Sequence, residues 1–296
     1  MSELAIETHG LVQRFGSVMA VDGVDLQVPV GSVYGYLGRN GAGKTTTIQM
    51  LMGLIEPSAG DISVLGFDPF KQDVAMKRVV SYVPERVHMY DWMKVADLMK
   101  FGAGVHPNWD QPYAEELRRR LELPLDRKLS EFSRGMQGKA ALMAALASHP
   151  KLLILDDPTL GLDAIVRREF MESIVGVLQE VGTTVFFSSH IIDDVERVAD
   201  TIGILRDGKL IVQQRSQDLK QSVKRIIITM PDGVALPPLQ GVLQTQGEGR
   251  QQALICEDVT EEALAVVRTA GATSVVVEDC SLEDIFIAYG RTPLSV

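Results

Sequence analysis

One run constrains the fold more than any other: the apolar segment VYGYL (33–37) passes directly into GRNGAGKTT (38–46) and then into helix-spaced residues. A buried strand that ends in a glycine-rich turn and restarts as a helix fits a parallel sheet with helical crossovers. The run matches G-x-x-x-x-G-K-[ST], in which glycines let the backbone curl so that its N–H groups converge on an anion at the helix N-terminus. A triphosphate suits such a cradle. Gly38, Arg39, Asn40, Gly41, Ala42, Gly43, Lys44, Thr45 and Thr46 are therefore the expected ATP contacts. Lys44 is expected at the β- and γ-phosphates, and the Thr45 hydroxyl on Mg²⁺.

The stretch LLILDDPTLGLD (152–163) is the second constraint, because four apolar residues run into two neighbouring carboxylates. Phosphoryl transfer needs one carboxylate on Mg²⁺ and one group that orients the attacking water. Side chains alternate along a strand, so Asp156 and Asp157 are expected to point apart, Asp156 to the metal and Asp157 to the water. Capping of the following turn is the plainer reading of both.

Composition bears on partners. The chain of 296 residues is 46% apolar, enough for one large domain or two ordinary ones, and its net charge of −10 disfavours a broad nucleic-acid footprint. Cys256 and Cys280 lack metal-ligand spacing and read as inert thiols of a reducing, cytoplasmic setting. The segment MSELAIETHG lacks the basic and apolar parts of a signal peptide. The most apolar window, AALMAALASHPKLLIL, is broken by His149, Pro150 and Lys151, so any membrane role is expected to come through a partner.

Along the chain, LAIETHGLVQRF, VDLQV and SVYGYL read as short β segments. Residues 91–148 turn helical through VADLMKF, AEELRRRLEL and QGKAALMAALA. Strand KLLIL, helix AIVRREFMESIVGVLQEVG, strand TTVFFSS and helix IDDVERVA then alternate, with Val166, Phe170, Ile174, Val177 and Val181 on one helix face. IGILRDGKLIVQ reads as a hairpin turning at Asp207 and Gly208. Residues 1–215 form the expected main domain, 216–223 a connector and 224–296 a small βαβ-type α+β domain.

Together with GLD (161–163), SSH (188–190) and FSRGMQGK (132–139), these motifs resemble the ATP-binding cassette (ABC) ATPases over residues 4–215. The variant FSRGMQGK and the terminal SLEDIFIAYG resemble the ATP-binding subunits of the bacterial ABC-2-type drug, lipid, ion and bacteriocin exporter branch. The resemblance implies an α/β P-loop NTPase fold with a parallel-sheet core, an N-terminal antiparallel β subdomain and a helical subdomain. It also implies stacking of Phe15 on adenine, contact of Ser133 and Gly135 with the γ-phosphate held by a second subunit, and bridging of that interface by Asp163. His190 would contact the γ-phosphate and the attacking water; His9, His88, His106 and His149 carry no such implication.

The implied assembly is a homodimer or paired cassette docked on a separate transmembrane permease at the inner face of the membrane. The region around Tyr90, Trp92 and Met93 is either the docking surface or subdomain core. Four residues depart from the family pattern: Arg134 replaces a glycine, Met136 a glutamine, Glu85 a glutamine near Mg²⁺ and the water, and Asp157 the catalytic glutamate. An aspartate reaches about 1.5 Å less, so slow hydrolysis is expected. A cassette ATPase of translation or DNA repair and a regulatory nucleotide sensor are the rival readings.

Overall fold

The computed structural model describes residues 3–247 and 249–291; the side chains of 173, 175–181 and 291 lie outside that description. The chain divides into two compact units, Met1–Gln213 and Gln214–Val296.

In chain order the first unit begins with β1 (Leu4–Phe15), β2 (Val18–Val24), β3 (Gln27–Pro29), β4 (Val33–Gly38), α1 (Lys44–Leu51) and β5 (Ala59–Val64). There follow α2 (Asp73–Lys77), β6 (Val80–Val83), α3 (Val95–Val105), α4 (Gln111–Arg120) and α5 (Arg134–Leu146). It ends with β7 (Leu152–Leu155), α6 (Ala164–Val181), β8 (Thr184–Ser189), α7 (Ile192–Val198), β9 (Thr201–Arg206) and β10 (Lys209–Arg215).

β1 carries β2 and β3 antiparallel along its length and β5 antiparallel on the other side. Neither β2 nor β5 stands out in the sequence, since VMAVDGV and AGDISV alternate poorly and gain strand character by pairing with β1. The second sheet runs β10-β9-β4-β8-β7-β6, with β6, β7, β8, β4 and β9 parallel. Its strands β7 and β8 are buried along their whole length, which is why LLIL is a continuous apolar run rather than an alternating one. β9 turns into β10 through Asp207 and Gly208, both at positive φ, as a two-residue hairpin requires.

Tyr34, Tyr36 and Phe186 fill the centre, the two tyrosine rings 5.5 and 5.3 Å from Phe186. Each fully buried residue of this kind stabilises the fold by roughly 1.5–3 kcal/mol. α3, α4 and α5 supply the helical block, and α5 packs on β6. Phe170 and Ile174 of α6 are buried and Val166 is half-buried, while Val177 and Val181 lie outside the described side chains.

The second unit contains α8 (Ser216–Ser222), β11 (Val223–Thr229), β12 (Val242–Gln246), β13 (Gln251–Glu257), α9 (Glu261–Thr269), β14 (Ser274–Asp279) and α10 (Leu282–Arg291). The stretch read as a connector is the helix α8. β13 and β14 both pair antiparallel with β11, so they run parallel to each other with β11 between them, a split βαβ unit crossed by α9. β12, on the outer side of β13, was hidden in a Pro/Gly-rich stretch. Cys256 and Cys280 are free and buried, and burial pushes the Cys256 thiol up to about 11, in keeping with an inert group.

Candidate functional site

The loop after β4 sits at the C-terminal edge of the parallel sheet, where α/β folds place their ligands. Gly43 has φ +108, and a side chain there would strike the backbone carbonyl of Ala20, so only glycine suits this last turn before α1. Behind the loop, the Gly208 N–H donates to the Ala42 carbonyl at 3.1 Å. The N–H groups of the first turn of α1 have no intrahelical acceptor and open toward the cleft.

That cleft, of about 260 Å³, is lined by Asn40, Gly41, Gly43, Lys44, Thr45 and Thr46, with Ala20, Glu85, Asp157 and Leu160 opposite. Lys44 is 6% exposed and its Nζ donates to the carbonyls of Gly38 at 2.8 Å and Arg39 at 3.3 Å. Burial lowers its pKa, opposed by the charges of Asp157, Asp156 and Glu85.

Asp156 is 1% exposed. Its Oδ1 accepts from Thr45 Oγ1 at 3.2 Å and from Ser188 Oγ at 2.8 Å, while its Oδ2 has no hydrogen-bond partner. Desolvation raises its pKa; the Ser188 and Thr45 hydroxyls oppose that rise, and Glu85 and Asp157 add to it.

Asp157 departs from simple strand alternation. β7 ends at Leu155 and Asp157 takes φ +43, so the period of two stops applying and Asp157 faces the same cleft as Thr45. A left-handed aspartate is uncommon, and such residues concentrate at functional sites. Its Oδ2 lies 2.7 Å from His190 Nδ1 and its buried Oδ1 has no partner. Ser188, to which no role was assigned from sequence, accepts from the Asp157 N–H at 2.9 Å while donating to Asp156, and so spaces the two carboxylates. The sequence signal for it was its place in SSH (188–190), which does not say what its hydroxyl touches.

A pair of adjacent, buried, unpartnered carboxylate oxygens beside a threonine hydroxyl suits a hard divalent cation. Mg²⁺ is typically held by one or two carboxylates plus substrate phosphates rather than by an all-protein cage. Among the described residues no cluster of three or more His, Cys, Asp and Glu makes such a cage.

The remaining expected residues lie elsewhere in this unit. Phe15 is 50% exposed at the end of β1, an open ring rather than core. Ser133 caps α5, accepting from the Met136 N–H at 3.3 Å, and Asp163 caps α6, accepting from Ile165 and Val166 at 3.0 Å. Each cap is worth about 1 kcal/mol. Ser133 and Gly135 do not line the Lys44 cleft of their own chain. Their chain neighbour Arg134 lines a second cleft of about 320 Å³ between the 83–87 loop, α5 and the 158–162 turn, which shares Glu85 and Leu160 with the first. Tyr90 and Trp92 are 63% and 64% exposed with rings 5.8 Å apart, which overturns a core role for them; Met93 is buried.

Residues 21–160 match the family model described as ABC transporter. The uncharacterised ABC transporter ATP-binding protein YhaQ of Bacillus subtilis is 34% identical over 288 residues, 94% of this chain and 95% of that protein. The bacitracin transport ATP-binding protein BcrA of Bacillus licheniformis is 34% identical over 75% of this chain and 73% of its own length. Among solved structures, an ATP-binding subunit of an ABC transporter superposes with a TM-score of 0.65 at 28% identity, over 74% of this chain and 92% of the other.

Proposed function

This chain belongs to the ABC transporter ATP-binding proteins, in the drug-exporter branch, and from that premise we propose that it hydrolyses ATP to drive a separate membrane permease. Two copies, or one copy and a paired cassette, would close head to tail on two nucleotides. The observation that carries the reading is that Lys44, Thr45 and Asp157 line one cleft, with Asp156 bonded to Thr45, His190 bonded to Asp157, and Asp156 Oδ2 and Asp157 Oδ1 buried and unpaired.

The loop N–H groups and Lys44 bind the phosphates, Lys44 exchanging its two carbonyl contacts for phosphate oxygens. Thr45 and Asp156 are the residues to hold Mg²⁺, which when bound neutralises charge on the phosphates; Glu85 borders the same space. Asp157 takes a proton from the attacking water on Oδ1 while His190 holds Oδ2 and so fixes the carboxylate plane. Phe15 offers a free ring to adenine. Ser133, Gly135 and Asp163, none of which lines its own chain's cleft, are supplied to the nucleotide and interface of the second subunit.

No helix among the described residues is long and apolar enough to cross a membrane. The exposed Tyr90–Trp92 stack is the proposed docking surface. The relatives named above are transport proteins, and nothing favours the translation or repair reading. A slow or sensing ATPase keeps support from one observation, the short Asp157 side chain in a left-handed turn.

ATP turnover and nucleotide affinity of the purified chain test the core of this reading. Lys44→Ala is expected to lose roughly 1.5–3 kcal/mol of binding, about ten- to a hundredfold in affinity. Unchanged affinity refutes it. Co-purification of a membrane-spanning polypeptide from detergent-solubilised membranes tests the partner.

A further inference from the structure

Asp157 and Asp163 are separated by a five-residue turn, 158–162, pinned at both ends. The Leu160 N–H donates to the Asp157 carbonyl at 3.0 Å and the Leu162 N–H to the Thr159 carbonyl at 3.2 Å. In the middle, the Thr159 hydroxyl donates to Asp194 Oδ2 at 2.8 Å. Thr159 is 1% and Asp194 4% exposed. The other oxygen of Asp194 lies 3.4 Å from Arg167 Nε, in the first turn of α6, whose N–H in turn donates to the Asp163 carbonyl.

Asp194 stands in the first turn of α7, four residues after His190. The turn and the segment 190–194 are thus joined twice, by Asp157–His190 and by Thr159–Asp194, two residues apart on one side and four on the other. A single side-chain contact leaves a pivot; two close the ring and fix its angle. Burial of an acidic group in such a place is costly unless each oxygen is served. Desolvation does push the Asp194 pKa upward, with Thr159 and Arg167 opposing the rise. A stabilising role alone would be met as well by apolar packing, whereas a charged node joining the strand end, α6 and α7 specifies one geometry.

We propose that Asp194, with Thr159 and Arg167, is a positioning residue for hydrolysis: it sets the angle of the Asp157–His190 pair and of the turn leading to Asp163. This rests on the reading of Asp157 and His190 as the hydrolytic pair. None of the three side chains lines the Lys44 cleft, so their loss is expected to act on turnover rather than on uptake.

The test uses the full chain with Thr159→Val, Thr159→Ser, Asp194→Asn and the double change Thr159→Val with Asp194→Asn. Turnover, KM and the dissociation constant of a fluorescent ATP analogue are measured beside Asp157→Asn. Thr159→Val is expected to lower kcat about tenfold or more, since small misplacements of reacting groups are costly, with analogue affinity within about twofold. Thr159→Ser, which keeps the hydroxyl, should recover most of the rate. The double change should fall short of the product of the two single effects, because both act on the same Thr159–Asp194 contact. Thermal melting identifies any variant that fails to fold, and Thr159→Ser remains informative in that case. If Thr159→Val and Asp194→Asn turn over ATP at the parent rate while Asp157→Asn does not, the inference is overturned and the hydrolytic reading survives. If Asp157→Asn itself leaves turnover intact, the hydrolytic pair is wrong and this inference goes with it. A Thr159→Ser protein as slow as Thr159→Val also overturns it.

Discussion

At the residue scale the proposed chemistry turns on Asp157. Its identity was legible as a departure from a glutamate, but its direction was not, because alternation along a strand assumes that the strand continues. Here β7 stops two residues earlier, and φ +43 swings Asp157 to the Lys44 side. Aspartate tolerates that conformation better than most residues. Asp157→Asn is expected to cut turnover by roughly 10²- to 10⁴-fold, the range of a general base, with ATP still bound. If reach limits the rate, Asp157→Glu is faster than the parent, measured as kcat under saturating ATP; an equal or lower kcat removes the shortened side chain as the cause. Ser188 stayed illegible because a hydroxyl within TVFFSS gives no sign of which strands flank it, and only the β7–β8 pairing sets it between the two carboxylates.

At the element scale, the turn into α1 depends on a single backbone requirement. Gly43→Ala forces a Cβ against the Ala20 carbonyl at φ +108, expected to cost about 1–3 kcal/mol. A urea midpoint unchanged from the parent excludes that strain. Helix α4 offers a test of pH dependence. Hydrogen bonds and charge from Arg118, and then Arg119, pull the Glu115 carboxyl down to about 2. Its folded value lies below the unfolded one of about 4.3. The stabilisation is therefore present at neutral pH and is lost as pH falls from about 4 toward 2. The stability gap between the parent and Glu115→Gln should shrink across that window in pH-dependent urea melts; a constant gap contradicts it. The helices of 91–148 were legible from their period, while the start of α4 was not: Asp110 fixes it by accepting from the Tyr113 N–H. β2, β5 and β12 were not, since their strand character comes from β1 and β13 rather than from their own residues.

At the scale of the whole molecule, the proposed function makes the working unit larger than one chain. With Asp157→Asn to arrest hydrolysis, ATP and Mg²⁺ are expected to double the mass seen by light scattering, and Ser133→Ala to weaken that association. A monomer at saturating ATP would count against the head-to-tail arrangement. The sequence by itself determined the parallel sheet with its phosphate loop, the helical block and the identity of most cleft residues, because each rests on local period, glycine placement or short spacing. Only the tertiary structure decided which way Asp157 faces, where β7 stops and φ turns positive, and that Ser188 spaces the carboxylates and Thr159 meets Asp194, contacts that depend on which strands and helices become neighbours across 31 to 35 residues of chain. Local propensity carries no information over that distance; packing does.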